Sequence, residues 1–231
     1  MYDIDTALKE WKDTLCSSVD AGGLLSRNAI AHKWKAPFRC LSLRESVAWR
    51  TQDLLFQSRL LANENLLLGA RILLRSAFET IAVLIYINQQ MRGVVSGKTD
   101  FFQFSDKTTQ LLLGSRNKST PYNAMSILSI LEKCDKRYPG IFGIYEGLCE
   151  SAHPNCEGIS AGYSQVDHDI LVTKYSNRWA ELFGGNHEQA ISICIDTFYF
   201  EYTNEWIEAM TELESWIVEN DEELEARKSE A

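Results

Sequence analysis

Three short stretches of this chain hold residue types that can move a proton or grip an anion. The first is Arg27-Asn28-Ala29-Ile30-Ala31-His32. Histidine titrates near neutral pH, so it can take the proton from an RNA 2′-hydroxyl or give one to a leaving oxygen. An arginine beside it can stabilise the charge on a phosphorane. The pair is therefore a coherent set for cleaving RNA without a metal. On an unbroken helix, residues five apart lie about 140° apart around the axis. Arg27 and His32 would not stack there, but both could border one groove. The plain alternative is a turn of surface helix.

The second stretch is Arg71, Arg75 and Glu79, spaced i, i+4, i+8 on one helix face. Their neighbours Ile72, Leu73, Leu74, Ala77 and Phe78 are apolar, so the stripe is expected to face a partly buried interior. Arginine suits an anion because its planar fork offers two parallel hydrogen bonds. Glu79, one turn on, is the natural partner for Arg75, and a structural ion pair is the plain alternative. The third stretch is Ser151-Ala152-His153-Pro154-Asn155, after Tyr145 and Glu150. Here His153 is the candidate for proton transfer opposite Arg75, with Asn155 beside it. Capping of a helix end is the other reading.

Metal chemistry has little to stand on in the sequence. Cys149, His153 and Cys156 are too widely spaced for the usual paired zinc ligands, and no second pair exists. There is no H-E-x-x-H, and Asp167-His168-Asp169 is the one compact acidic candidate. No cofactor is expected. The six cysteines form no C-x-x-C pair, and the start of the chain is acidic rather than basic and apolar. The expectation is a cytoplasmic protein whose cysteines are reduced and mostly fill the core.

The elements that must position these residues read as helical. Leu43, Val47, Leu54, Leu55 and Leu61 recur at helical spacing. Residues 66–88 form the most apolar segment, suited to a central helix buried on most sides. Arg71, Arg75 and Glu79 interrupt it too often for a membrane span, so no membrane partner is expected. Residues 91–98 read as a loop, and 115–122 as a basic, turn-rich loop. Helices are expected over 123–137 and 141–152, the first ended by Tyr138-Pro139-Gly140. Residues 155–185 are irregular and contain glycines, with a short hairpin around 170–172. A long helix is expected over 187–218. Residues 219–231 read as a polar, frayed acidic tail, or else as a tail that covers basic surface of the protein or of a partner. The fold class is all-α, a single helical bundle over 1–218 followed by that tail.

Composition sets the outer limits. The 231 residues are 45% hydrophobic and 24% charged, which excludes disorder and collagen-like repeats. The net charge of -9 argues against a generic nucleic-acid coat. The charge is uneven, however. Residues 26–76 carry nine Lys/Arg against three acids, whereas residues 196–231 carry two against twelve. The basic stretch includes His32-Lys33-Trp34-Lys35-Ala36-Pro37-Phe38-Arg39, where lysines interleave with aromatics. That pattern can hold phosphates and stack bases, or it can anchor Trp34 and Phe38 in the core with the lysines outward.

Arg27-Asn28-x-x-x-His32 resembles the R-N-x-x-x-H motif of the HEPN-like helical families of bacteria, many of them tied to toxin–antitoxin and abortive-infection defence. The stretch 69–80 with Ser151-x-His153-Pro154-Asn155 is similar to helical bacterial proteins grouped near that fold. The resemblance implies a helical bundle, homodimers that pair two such motifs at one cleft, and metal-independent RNA cleavage. In those families the motif usually lies late in the bundle, whereas here it lies near residue 30. On this reading the partners are RNA and a second copy. The competing function is a non-catalytic interaction or sensor module that binds a protein or a small anionic ligand.

Overall fold

Leu74, Ala77, Phe78, Ile81, Ala82, Leu84, Ile85, Tyr86 and Ile87 are all buried. They lie on helix α5 (Leu67–Val95), which is apolar around most of its circumference as the sequence predicts. In the computed structural model, which describes residues 3–229, helix accounts for 74% of the chain. The fold is all-α. Before α5 come α1 (Ile4–Asp13), α2 (Ala21–Arg27), α3 (Ala29–His32) and α4 (Lys35–Asn63). After it come α6 (Phe101–Leu113), α7 (Ile127–Asp135), α8 (Ile141–Ala152), α9 (Trp179–Tyr199), α10 (Trp206–Glu219) and α11 (Asp221–Ser229). Cys156–Ala161 and Phe200–Glu205 are π-helical turns. One antiparallel hairpin, β1 (Ser164–Asp167) and β2 (Val172–Tyr175), is the only sheet among the described residues, with Ser164 opposite Tyr175. No described helix is long and apolar enough to cross a membrane.

The chain forms two compact units that interleave along the sequence. The first holds residues up to Thr14, Trp49–Ala82 and Leu131–Thr197. In it, Asp3 caps α1 through the amides of Asp5 and Thr6, and Ile4, Leu8 and Trp11 make one buried face. Trp179 is fully buried with Leu67 and Ala70, and Phe183 packs against that cluster. Gly162 lies so close to the Trp179 ring that a Cβ there would come within 2.6 Å of it. The second unit holds Leu15–Ala48, Val83–Ile130 and the chain from Phe198 onward. Its buried groups include Trp34, Cys40, Leu43, Phe101, Phe104, Leu213 and Ile217. Trp34 and Phe101 meet edge to face with ring centroids 5.4 Å apart.

Several expected boundaries move. The loop expected at 91–98 is helical as far as Val95, because Met91 and Val94 continue the buried stripe. Gly97, at φ +71°, then turns the chain, and Lys98 donates back to the Gly93 carbonyl at 2.9 Å. The helix expected from 123 begins at Ile127, and the one expected from 187 begins at Trp179. Residues 155–185 resolve into a π-helical turn, a hairpin and the first turns of α9. Of the frayed tail expected over 219–231, Asp221–Ser229 form helix α11, anchored by buried Leu224, and 230–231 lie outside the described residues. All six cysteines are thiols, and Cys40, Cys134 and Cys194 fill the core.

Candidate functional site

In the second unit, the first motif is assembled by a helix break. Asn28 leaves the helical region, at φ -152° and ψ 89°. Its own amide closes α2 on the Leu24 carbonyl, and its side chain caps α3 by accepting from the Ala31 amide at 3.0 Å. The break cancels the angular offset of an unbroken helix, and Arg27 Nη2 comes to 3.1 Å from His32 Nε2. Glu214 of α10 completes the group. Its Oε1 pairs with Arg27 Nη2 and lies 3.1 Å from His32 Nε2. Nε2 thus faces both a donor, the guanidinium, and an acceptor, the carboxylate, while Nδ1 is left buried without a hydrogen-bond partner. The His32 side chain is 2% exposed and that of Arg27 58%. Arg27 faces solvent while the imidazole is covered. Glu214 shares the buried face of α10 with Met210, Leu213 and Ile217. An acid at that spacing within an apolar stripe is the sequence signal that points to it.

Two grooves adjoin this group. One, about 340 Å³, is lined by His32, Lys35, Phe38 and Arg39 with apolar side chains of α2 and α6. The other, about 640 Å³, is lined by Lys33, Lys35, Arg39 and Lys228 with Trp34, Phe102 and Tyr122. Lys35 and Arg39 belong to both. Arg39 is held by neutral acceptors: Nε donates to Thr108 Oγ1 at 2.8 Å and Nη2 to Ser105 Oγ at 2.7 Å. Neither Lys35 nor Arg39 has a carboxylate partner within 4 Å among the described residues. Lys33 does: its ammonium lies 2.6 Å from Asp221 and 2.9 Å from Glu225. Those bonds raise the lysine, Asp221 first and Glu225 second, and hold both carboxyls below their usual range. The Trp34 indole also donates to Asp221 at 3.0 Å. The acidic helix α11 thus covers one basic residue of the protein's own surface. Trp34 is a core anchor, as one reading of the interleaved stretch has it, whereas Phe38 is exposed.

In the first unit, the polar stripe of α5 meets α8. Arg75 Nη2 lies 3.0 Å from Glu79 Oε1 and donates to the Tyr145 hydroxyl at 3.2 Å. Tyr145 donates to Glu79 at 3.0 Å, and Arg75 Nε reaches Cys149 Sγ at 3.2 Å. Burial pushes the Tyr145 hydroxyl up to about 12, so it stays a donor. His153 is not in this network. It is an exposed residue in extended backbone just past α8, and the Arg75–His153 pairing expected from sequence is not made. Asn155 is a cap: its side chain accepts from the Gly158 amide at 3.0 Å and donates to Glu150. Ser151 of the same motif turns instead to Arg71, whose Nε donates to its hydroxyl at 2.6 Å. Sequence spacing finds the arginines and misses Tyr145 and Cys149 as their partners. Both lie on one face of α8 at i, i+4.

Other groups that look reactive are occupied. Ser58 Oγ donates to the Ala70 carbonyl at 2.7 Å, so His187 Nε2, 3.2 Å away, donates to it rather than taking its proton. Burial, then the charges of Arg71 and Arg59, push His187 down to about 4. Asp167 pairs with Lys174 across the hairpin. No three His, Cys, Asp or Glu side chains among the described residues converge as a metal site would require. Comparison with protein-family models, curated proteins and solved structures finds no match to this chain.

Proposed function

We propose that the protein is a HEPN-like helical endoribonuclease that needs no metal, with Arg27 and His32 at its reacting centre. The observation that carries this reading is the break at Asn28, which brings Arg27 Nη2 to 3.1 Å from His32 Nε2. A carboxylate on a guanidinium occupies the place a phosphate would take. In the proposed reaction the RNA phosphate displaces Glu214 from Arg27, which also releases the imidazole. His32 then takes the 2′-hydroxyl proton, and the 2′-oxygen attacks phosphorus. The 5′-oxygen leaves with a proton from the imidazolium of a second copy, giving a 2′,3′-cyclic phosphate and a 5′-hydroxyl. Lys35 and Arg39, cations without carboxylate partners, supply the grip on neighbouring phosphates.

The test is cleavage of an end-labelled single-stranded RNA in excess chelator. His32→Ala and Arg27→Ala are each expected to lower the rate by at least about a hundredfold. The competing reading, an interaction module without catalysis, draws on the covered His32 side chain and on Glu214 holding both residues. Wild-type protein that never cleaves RNA would overturn the ribonuclease reading in favour of a module that binds a protein or a small anionic ligand.

A further inference from the structure

The stripe arginine nearest the start of α5 has an unusual set of partners. Arg71 is buried, yet no carboxylate hydrogen-bonds to it. Its Nε donates to Ser151 Oγ at 2.6 Å and its Nη2 to the Gly147 carbonyl at 3.0 Å. The nearest acid, Glu157, stands 3.8 Å from Nη2 and spends its own hydrogen bond on the Ser151 hydroxyl at 2.5 Å. The Phe183 ring lies against the guanidinium, 4.3 Å from its carbon. Nη1 donates to nothing among the described residues and is not a sealed, unsatisfied atom. The direct hydrogen bonds of this guanidinium all go to neutral acceptors, Glu157 offsets its charge only from 3.8 Å, and Nη1 is left to bind something else.

That something has a place to sit. Arg71 lines a cleft of about 400 Å³ between α8 and α9, within the range of small-molecule sites. Ile144, Leu148, Phe183 and Ile193 make it largely apolar, and the amides of Asn186 and Gln189 stand on the α9 side. Gly143 and Gly147, one turn apart on α8, keep it open: a Cβ at either would meet nothing within 4 Å. Glycine costs a helix interior about 1 kcal/mol relative to alanine, so two of them facing one cleft make room at the expense of helix stability.

We propose that this cleft binds a small monocarboxylate with an apolar body, its carboxylate on Arg71 and its body against Phe183 and Ile193. One negative charge fits better than two, because Glu157 stands beside the guanidinium and would repel a dianion. The proposal does not depend on the ribonuclease reading, and its test uses no RNA.

The test is calorimetric titration of the full chain with 4-phenylbutyrate and, separately, with its uncharged amide. The wild type is expected to bind the carboxylate with Kd below about 10 mM and at least about tenfold more tightly than the amide. Gly147→Leu places a side chain in the cleft while improving helix propensity. It is expected to melt no lower than wild type and to lose the binding. Arg71→Gln is expected to erase the preference for carboxylate over amide. No binding by wild type at about 10 mM, equal binding of the amide, or undiminished binding by a folded Gly147→Leu variant would each overturn the proposal.

Discussion

Glu214 holds both halves of the Arg27–His32 pair through one oxygen, so it is the residue whose charge most directly tests how that pair is used. Glu214→Gln keeps the shape and removes the charge that competes with a phosphate. We expect it to tighten RNA binding by about threefold or more, while weakening its grip on Arg27 lowers the melting temperature by a few degrees, roughly 1 kcal/mol. Unchanged RNA affinity would show that Glu214 does not stand where a phosphate binds. His187 gives a separate, pH-dependent prediction. Its folded pKa of about 4 lies below the ordinary 6.5, so on acidification the unfolded chain takes up the proton first. Its contribution is complete above about pH 6.5 and is lost as pH falls from there toward 4. Urea denaturation at about pH 7 and about pH 5 should show roughly 2 kcal/mol of lost stability from this group. His187→Gln should remove that part of the pH dependence, and an identical pH profile in the variant would contradict the assignment. At this scale, Arg27, Asn28 and His32 were readable as chemistry, and Arg71 and Arg75 as anion-seeking groups. Their pairing was not: the acid in the apolar stripe of α10 marks Glu214 as buried, and Tyr145 and Ser151 stand in the stretch set opposite Arg75, but all three lie far off in sequence and nothing local says which arginine each meets.

The helices themselves were the most legible part. The apolar run of α5 dictates burial on most sides, and the Pro139-Gly140 break between α7 and α8 follows from backbone chemistry alone, with Gly140 at φ +101°. What the helical wheel could not foresee is the change of axis between α2 and α3. The 140° separation holds only for an unbroken helix, and Asn28 is a good N-cap residue as well as a tolerable helix residue. His153 failed to meet Arg75 for a similar reason: the chain leaves the helix before Pro154 in extended backbone, and spacing counted along α8 no longer applies. Asn28→Ala removes the cap and should cost about 1 kcal/mol of stability, read from the urea midpoint. It should also lower RNA cleavage far more than that loss explains, because it frees Arg27 from its place beside His32. Cleavage at the wild-type rate would mean that the cap does not set the pair. Gly97→Ala tests the unexpected extension of α5. At φ +71° an alanine is strained by about 1 kcal/mol, and a melting temperature equal to wild type would count against that turn.

Across the whole molecule, net charge and local charge pull in opposite directions. The chain carries -9, yet Lys35 and Arg39 stand in a groove without carboxylate partners while α11 ties up Lys33. The uneven charge was visible in the sequence, and so was the possibility that the acidic end covers basic surface. Which lysine it covers required the register of α11. If Arg27, Lys35 and Arg39 make the phosphate contacts, RNA affinity should fall with salt at a log–log slope of about -2. Lys35→Ala should make that slope shallower by roughly 0.7 without changing the melting temperature. The account stands most directly on one measurement: chelator-resistant cleavage of a single-stranded RNA, compared with the same oligonucleotide carrying 2′-deoxyribose throughout, by wild type and by His32→Ala of matched melting temperature. The account predicts cleavage of the RNA alone, by wild type alone, with 2′,3′-cyclic phosphate ends. Cleavage of the deoxy strand, equal cleavage by His32→Ala, or an intact RNA with wild type would contradict it.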